Sequence, residues 1–305
     1  MQATIQREVA LPKLPSASGI EIVGDLAYII GDDAPFLYCL SARELVAGKP
    51  VQLFETAHFS SGRIPKDVKP DLECLTAVAL PDGQKGLLVM GSGATTAREI
   101  GFWVTLGPGT PPAAAVYPLS LAPLYNALKP LLPKGITLNL EAAAATADTL
   151  FLMQRSVGTD AGNLVFRCPL GAAMDFVQHR SAQVPPIGVQ RYALPHISGK
   201  PSGLSGASVH HNLLFVSASV EDTTDPVADG EVLGSFVGII DPNQQSRRAL
   251  PVRMAQLVQP NGKPYLGKVE SITVRREVAR GRYELLLVTD DDKGGSTAVE
   301  VELTT

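Results

Sequence analysis

Cysteine is scarce in this chain of 305 residues: Cys39, Cys74 and Cys168 are odd in number and widely scattered. That argues against a disulfide framework and fits a reducing compartment. There is no Lys/Arg run, and the formal net charge is −4. A chain of that balance offers no electrostatic field for nucleic acid or an anionic membrane surface. The apolar stretches fall far short of the roughly 20 residues a bilayer span needs. The opening segment MQATIQREVA lacks a basic region followed by an apolar one, so no secretion signal is read there. The expected compartment is cytoplasmic, or periplasmic or secreted if a leader has been removed. His58, His179 and His196 show no metal-ligand spacing.

What the chain does have is apolar mass and punctuation. Apolar residues are 45% and charged residues 18%, the balance of a packed globular protein. Twenty-eight Gly and 24 Pro divide short apolar runs rich in β-branched residues, which read as strands.

The runs repeat. Aligning triplets in which Glu or Ser precedes small or apolar residues gives five anchors: Ser18-Gly19-Ile20, Glu73-Cys74-Leu75, Glu141-Ala142-Ala143, Ser205-Gly206-Ala207 and Glu270-Ser271-Ile272. Their separations are 55, 68, 64 and 65 residues. A turn and a very apolar second strand follow each anchor, at 25–33, 86–93, 149–155, 212–222 and 284–292; Asp82-Gly83 is the clearest turn signal. Third strands read at 36–40, 101–106, 163–168, 235–241 and 296–303, and fourth strands at 51–56, 114–121, 189–195 and 247–254. The last unit lacks a fourth strand, but IQREVALPKL (5–14) echoes VQRYALPHI (189–197) at the other end of the chain.

Four-stranded units repeated around a ring are the β-propeller plan, which leaves few open strand edges. The expectation is an all-β single domain over 1–305, a β-propeller of five four-stranded blades whose N-terminal strand closes the last blade. Six blades, with a degenerate one near 101–136, is the alternative count, and a two-sheet sandwich the alternative fold. The segment LAPLYNALKPLL (121–132) departs from the pattern. Leu121, Leu124, Tyr125 and Leu128 fall at helical spacing, predicting a short helix stopped by Pro130.

In a blade the first strand lines the channel, and antiparallel pairing places its start beside the end of the second strand. The anchors Ser18, Glu73, Glu141, Ser205 and Glu270 should therefore meet Asp32, Asp33, Ser92, Arg155, Glu221, Asp290 and Asp291 on one face. Crowded carboxylates relieve repulsion by taking up protons, by pairing with a cation or by binding a metal. Oxygen ligands without nearby His or Cys suit Ca²⁺, with Mg²⁺ second. Asp32, Glu73, Glu141, Glu270 and Asp290 are the candidate metal ligands, and Arg155 is an internal cation. The opposing reading makes each Glu an acceptor for backbone N–H groups of the next blade.

The anchors around Glu73 and Glu270 and the Asp-terminated second strands resemble bacterial propeller families grouped as esterase-like or phytase-like. The stretches 217–241 and 87–98 resemble an uncharacterised bacterial domain family in that neighbourhood. The resemblance covers nearly the whole chain and implies a propeller that can host a hydrolase of phosphate or carboxylic esters. Ser18 and Ser205 depart from it by standing where a Glu is expected.

Other motifs carry less. GLSGA (203–207) ends in Ala207 and lacks the strand–turn–helix setting of a nucleophile elbow. DDDKGGSTAVEV (290–301) has Gly294 and Val301 where a calcium loop needs ligands. GSGATTAR (91–98) lacks a Walker lysine, though its backbone and Arg98 could hold an anion. His210-His211 read as an exposed turn at the opposite end of the channel. The acidic loop 220–231 reads as a lid or a solvated loop.

Two functions follow. In the first, a divalent cation at the channel mouth polarises an ester or phosphate oxygen. Glu73, Glu141 and Glu270 are then catalytic, and Ser18, Ser92, Arg98, Arg155 and Glu221 bind the ligand. In the second, the same mouth holds a small molecule or protein loop without catalysis, and the Glu residues are structural.

Overall fold

The computed structural model describes residues 1–80, 83–107, 114–223 and 230–305; Asp82 and residues 224–229 of the acidic loop lie outside the described residues. Strand β1 (Gln2–Ala10) is followed by an antiparallel sheet of β2 (Ala17–Val23), β3 (Leu26–Gly31), β4 (Phe36–Ser41) and β5 (Val51–Gln52). The second sheet is β6 (Leu72–Ala79), β7 (Lys85–Gly91), β8 (Ile100–Leu106) and β9 (Ala114–Ser120). The third runs β10 (Leu140–Ala145), β11 (Thr149–Gln154), β12 (Leu164–Pro169) and β13 (Gly188–Ala193). A small ladder, β14 (His196–Ile197) with β15 (Lys200–Pro201), leads into β16 (Gly203–His210), β17 (Leu213–Asp222) and β18 (Glu231–Ile240). Then come β19 (Leu250–Pro251), β20 (Arg253–Val258), β21 (Lys268–Ala279), β22 (Arg282–Asp290) and β23 (Ser296–Thr304).

The last strands form one eight-stranded sheet, β16-β17-β18-β20-β1-β23-β22-β21. It divides at β20–β1, a short parallel pairing at Ala3↔Leu257 and Thr4↔Val258, into two four-stranded antiparallel halves. Strand β1 runs antiparallel to β23 from Gln2↔Thr304 to Ala10↔Thr297, so the first strand completes the last sheet, as the terminal echo predicts. The segment 247–254 is not a single fourth strand. Leu250–Pro251 pairs with Tyr192 and Ala193 of the third sheet, and only Arg253–Val258 joins β18. Pro251 has no N–H, which suits it to an edge and interrupts the run.

The inner strands stand side by side in a closed circuit: β2 by β6, β6 by β10, β10 by β16, β16 by β21, and β21 by β2. Adjacent sheets share apolar layers. Tyr28, Leu75, Val89 and Phe102 fill the first. Leu88, Met90, Leu152 and Phe166 fill the next. Phe151, Met153, Leu214 and Val216 follow, then Phe215, Ile272, Leu285 and Val299, and finally Ile20, Ile29, Leu286 and Val288. Alternate residues of one second strand, Leu285 and Leu286, thus enter layers on opposite sides of their sheet. A strand buried on both faces reads as a continuous apolar run, which is why ELLLV does not alternate. Each such Leu or Ile contributes roughly 1.5–3 kcal/mol by burial. The fold is a β-propeller.

Helix α1 (Ala122–Leu128) ends in a short 3-10 turn at Lys129–Leu131 that contains Pro130. Its stripe of Leu121, Leu124, Tyr125 and Leu128 is buried, and the Tyr125 hydroxyl donates to the Gly91 carbonyl at 2.6 Å. A second helix, α2 (Leu170–Val177), packs Met174 and Val177 into the same layer. Among the described residues no helix is long and apolar enough to cross a membrane.

Candidate functional site

Each inner strand carries a register slip near its start. The slips fall between Ala17 and Gly19, Leu72 and Cys74, Leu140 and Ala142, Leu204 and Gly206, and Val269 and Ser271. The residues left over are Ser18, Glu73, Glu141, Ser205 and Glu270, the five repeat anchors. A bulge leaves its extra residue unpaired and re-aims its side chain. The repeated residue is therefore the one that the ladder releases. Pairings such as Leu72↔Gly91, Leu140↔Gln154 and Lys268↔Asp290 bring the ends of the second strands to this same end of the channel.

Cations from the protein itself thread the carboxylates there. The Lys69 ammonium lies 2.8 Å from Asp71 and also pairs with Asp32. Asp71 further accepts from Arg98 at 2.6 Å and from the Ser92 hydroxyl at 2.5 Å. Arg63 donates to Asp33 at 2.5 Å, where Ser16 adds a bond at 3.1 Å. Buried Arg155 lies 3.4 Å from Glu141 and pairs more closely with Glu221. Lys268 stands 3.1 Å from Asp292, 3.2 Å from Glu270 and 3.6 Å from Glu221.

Glu73 differs from the rest. It is only partly covered, and among the described residues its carboxyl takes part in no hydrogen bond or ion pair. Its oxygens, with those of Asp32 and Asp71, supply three ligand atoms lying within 4.8 Å of one another. Burial, then the charges of Glu141, Asp71 and Asp32, push its pKa well above the usual carboxylate range, against Lys69. Burial likewise pushes Glu141 to about 7, with Arg155 opposing and Glu270 assisting. Asp290 is pushed to about 7 by burial and by Glu270, and Asp32 to about 6 by burial against the pull of Lys69. Glu221 goes the other way: Arg155 and Lys268 overcome its burial and hold it below the ordinary value. Against burial, Asp32, Asp71 and Glu73 keep the Lys69 ammonium charged.

The mouth thus holds Asp32, Asp33, Asp71, Glu73, Glu141, Glu221, Glu270, Asp290 and Asp292 against Arg63, Lys69, Arg98, Arg155 and Lys268. The surplus of acid is met by the raised carboxyls. Asp32 Oδ1 and Asp33 Oδ1 are buried without a hydrogen-bond partner among the described residues.

Hydroxyl and amide groups join neighbouring sheets. Ser18 donates to the Leu72 carbonyl at 2.5 Å, Ser271 accepts from the Ile20 N–H at 3.1 Å, and Ser219 donates to the Val269 carbonyl at 2.7 Å. Asn163 donates to the Ser202 carbonyl at 2.9 Å. Ser205 is fully buried against the Ser217 hydroxyl, 3.1 Å away. Arg98 donates to Asp71 through Nη1, and Asp291 caps the turn at Lys293 and Gly295.

Sequence reasoning missed Lys69, Lys268, Arg63 and Asp71, which lie outside the aligned triplets. It also missed Glu21, deeper in the channel. Glu21 accepts the Ile22 N–H at 3.1 Å, the Ala77 N–H at 3.3 Å and the Thr273 hydroxyl at 3.4 Å, and burial pushes it to about 7.

The order of anchors along the chain and their placement at one mouth characterise a propeller with an acidic channel end. Over residues 13–303 the chain matches, and belongs to, a family of unknown function, DUF6929. No curated protein sequence matches it. Among solved structures it is similar to the glutaminyl cyclase of Myxococcus xanthus, at 14% identity and TM-score 0.51 over 99% of this chain and 97% of that one. It is also similar to the α-L-arabinanase of Cellvibrio cellulosa complexed with arabinohexaose, at 11% identity and TM-score 0.47 over 97% and 92% of the two chains. A third is the Cps50 (Swd1) beta-propeller domain of Myceliophteria thermophila, at 9% identity and TM-score 0.40 over 96% and 99%. The glutaminyl cyclase likeness is one of fold.

Proposed function

We propose that this protein is a five-bladed propeller hydrolase acting on a small ester through paired carboxyl groups at the channel mouth. The carrying observation is Glu73: released from the ladder by its bulge, partly open, without a hydrogen bond among the described residues, and set beside Glu141, Asp71 and Asp32. A carboxyl whose pKa is raised by burial and by neighbouring carboxylates is suited to donate a proton. Glu73 would protonate the leaving alkoxide, while Glu141 in its ionised form takes a proton from the attacking water. One water is consumed, and one acid and one alcohol are released. Arg155 and Lys69 hold the developing negative charge. The surplus of carboxylates disfavours a phosphate dianion, so a neutral carboxylic ester or lactone fits the mouth better than a phosphomonoester within the esterase-like and phytase-like range. Single substitutions Glu73→Gln and Glu141→Gln should each lower kcat on an ester or lactone panel by roughly 10²–10⁴-fold without lowering Tm. Unchanged turnover in both would remove the assignment.

A second reading rests on the three carboxylates within 4.8 Å and on the partnerless Asp32 Oδ1. There Ca²⁺, or less favourably Mg²⁺, joins Asp32, Asp71 and Glu73 as cofactor, and Glu141, Glu270 and Asp290 lie around it. The Lys69 ammonium stands against it, because it already serves two of the three ligands. A Tm raised by millimolar Ca²⁺ after EDTA treatment would favour the metal reading.

A further inference from the structure

A different group of side chains gathers at the opposite end of the channel. Strand β16 pairs with β17 as far as His210↔Leu213, leaving His211-Asn212 as a two-residue loop. Both loop residues have positive φ, 49° and 62°, the combination of a type I′ hairpin. In a regular strand His210 and His211 would face opposite ways. The left-handed backbone at His211 breaks that alternation and brings the rings together, with centroids 4.1 Å apart. From the last sheet, Glu277 on β21 reaches the same point, its Oε2 3.4 Å from His211 Nδ1.

We propose that His210, His211 and Glu277 form a binding site for a divalent first-row transition metal ion of the zinc type, tying the β16–β17 hairpin to β21. One ligand atom from each residue lies within 4.8 Å of the others. At bond lengths of about 2.0–2.1 Å, two ligands of a tetrahedral ion stand roughly 3.4 Å apart, the His211–Glu277 spacing. The His210 ring is held on two sides, edge-on to Phe215 at 6.0 Å and to Tyr283 at 6.1 Å. Its Nε2 is buried and has no hydrogen-bond partner among the described residues. Two imidazoles and one carboxylate suit zinc, copper(II) or nickel and not Ca²⁺ or Mg²⁺, which take oxygen ligands. Three protein ligands leave a coordination position for water, and the His211 side chain is 71% exposed, so an ion can enter. The set shares no residue with the acidic mouth, so its fate is independent of the function proposed there.

The test is Zn²⁺ titration calorimetry on untagged, EDTA-stripped protein, with imidazole NMR in parallel. The expected result is one zinc per chain with shifts confined to His210 and His211 among the five histidines. His211→Ala and Glu277→Gln should each weaken binding roughly tenfold or more. Both positions are at or near the surface, and far-UV circular dichroism checks that the variants fold. Glu73→Gln, at the mouth, should bind zinc as the unmodified chain does. Absence of zinc binding, or binding undiminished in both variants, would leave only a His211–Glu277 ion pair and overturn the proposal.

Discussion

The Lys69 ammonium lies 2.8 Å from the Asp71 carboxylate and also pairs with Asp32. This contact places the protein's own cation in the most acidic part of the channel mouth. Replacing it by an apolar side chain of similar length leaves buried carboxylates uncompensated. Lys69→Met should therefore cost roughly 3–5 kcal/mol of stability. Millimolar Ca²⁺ should restore part of that loss in the variant and leave the unmodified chain unmoved. A calcium-dependent rise of several degrees in the unmodified chain's Tm would instead seat an ion beside Lys69.

Stability should decline with pH from mildly acidic conditions towards neutrality. Glu21, Glu141 and Asp290 are each pushed to about 7, from ordinary values of 4.5, 4.5 and 3.8. Between those limits the folded chain holds protons that the unfolded chain has released. Their stabilising effect is complete below the unfolded values and lost as pH rises through about 7. Urea midpoints should fall from about pH 5 to about pH 8 and then level, and Glu21→Gln should remove on the order of 1–2 kcal/mol of that decline in stability. A midpoint that climbs over that range would contradict the assignment of these groups.

Ser18 takes the anchor position in the first sheet but donates to Leu72 in the second at 2.5 Å. That bond joins the inner strands of two neighbouring sheets. Ser18→Ala leaves a buried carbonyl with one bond fewer and should cost about 1–3 kcal/mol in denaturant unfolding. Ester turnover, where found, should persist. Loss of turnover with intact stability would move Ser18 into the site.

The ring depends on β1. Ala3 and Ile5 are buried against Leu285, Val299 and Val301 in one cluster. Ile5→Ala should cost about 2–5 kcal/mol. Removing residues 1–10 should bare the β23 edge and yield self-associating protein in size-exclusion chromatography. A monomer of unchanged Tm would show that β1 is not the closing strand.

Much of this architecture was legible because apolar layers impose their period on the chain. The very apolar second strands, the anchors and the terminal echo are all consequences of sheets buried on both faces around a ring. The stripe of α1 was legible for the same reason. Helix α2 was not read, although Leu170, Ala173, Met174 and Val177 stand at helical spacing, because LGAAMDFV follows β12 directly and continues its apolar run. The segment 247–254 misled, because one run serves two sheets on either side of Val252. At the mouth, Glu73, Glu141 and Glu270 repeat and were visible. Their partners Lys69, Lys268 and Arg63 lie outside the aligned triplets and have no common position, so only the fold brings them in. The His210–His211–Glu277 group was invisible as a unit, since 66 residues separate His211 from Glu277.

The most direct measurement is a ¹³C NMR titration of the Glu side-chain carboxyls, comparing the unmodified chain with Glu73→Gln. The account predicts one carboxyl that titrates well above the ordinary Glu range and vanishes in the variant, with the Glu141 midpoint little moved, because Gln replaces a carboxyl that is still uncharged when Glu141 ionises. If every Glu carboxyl has ionised below about pH 5.5, within the ordinary range, then Glu73 is a charged wall of the channel and not its proton donor.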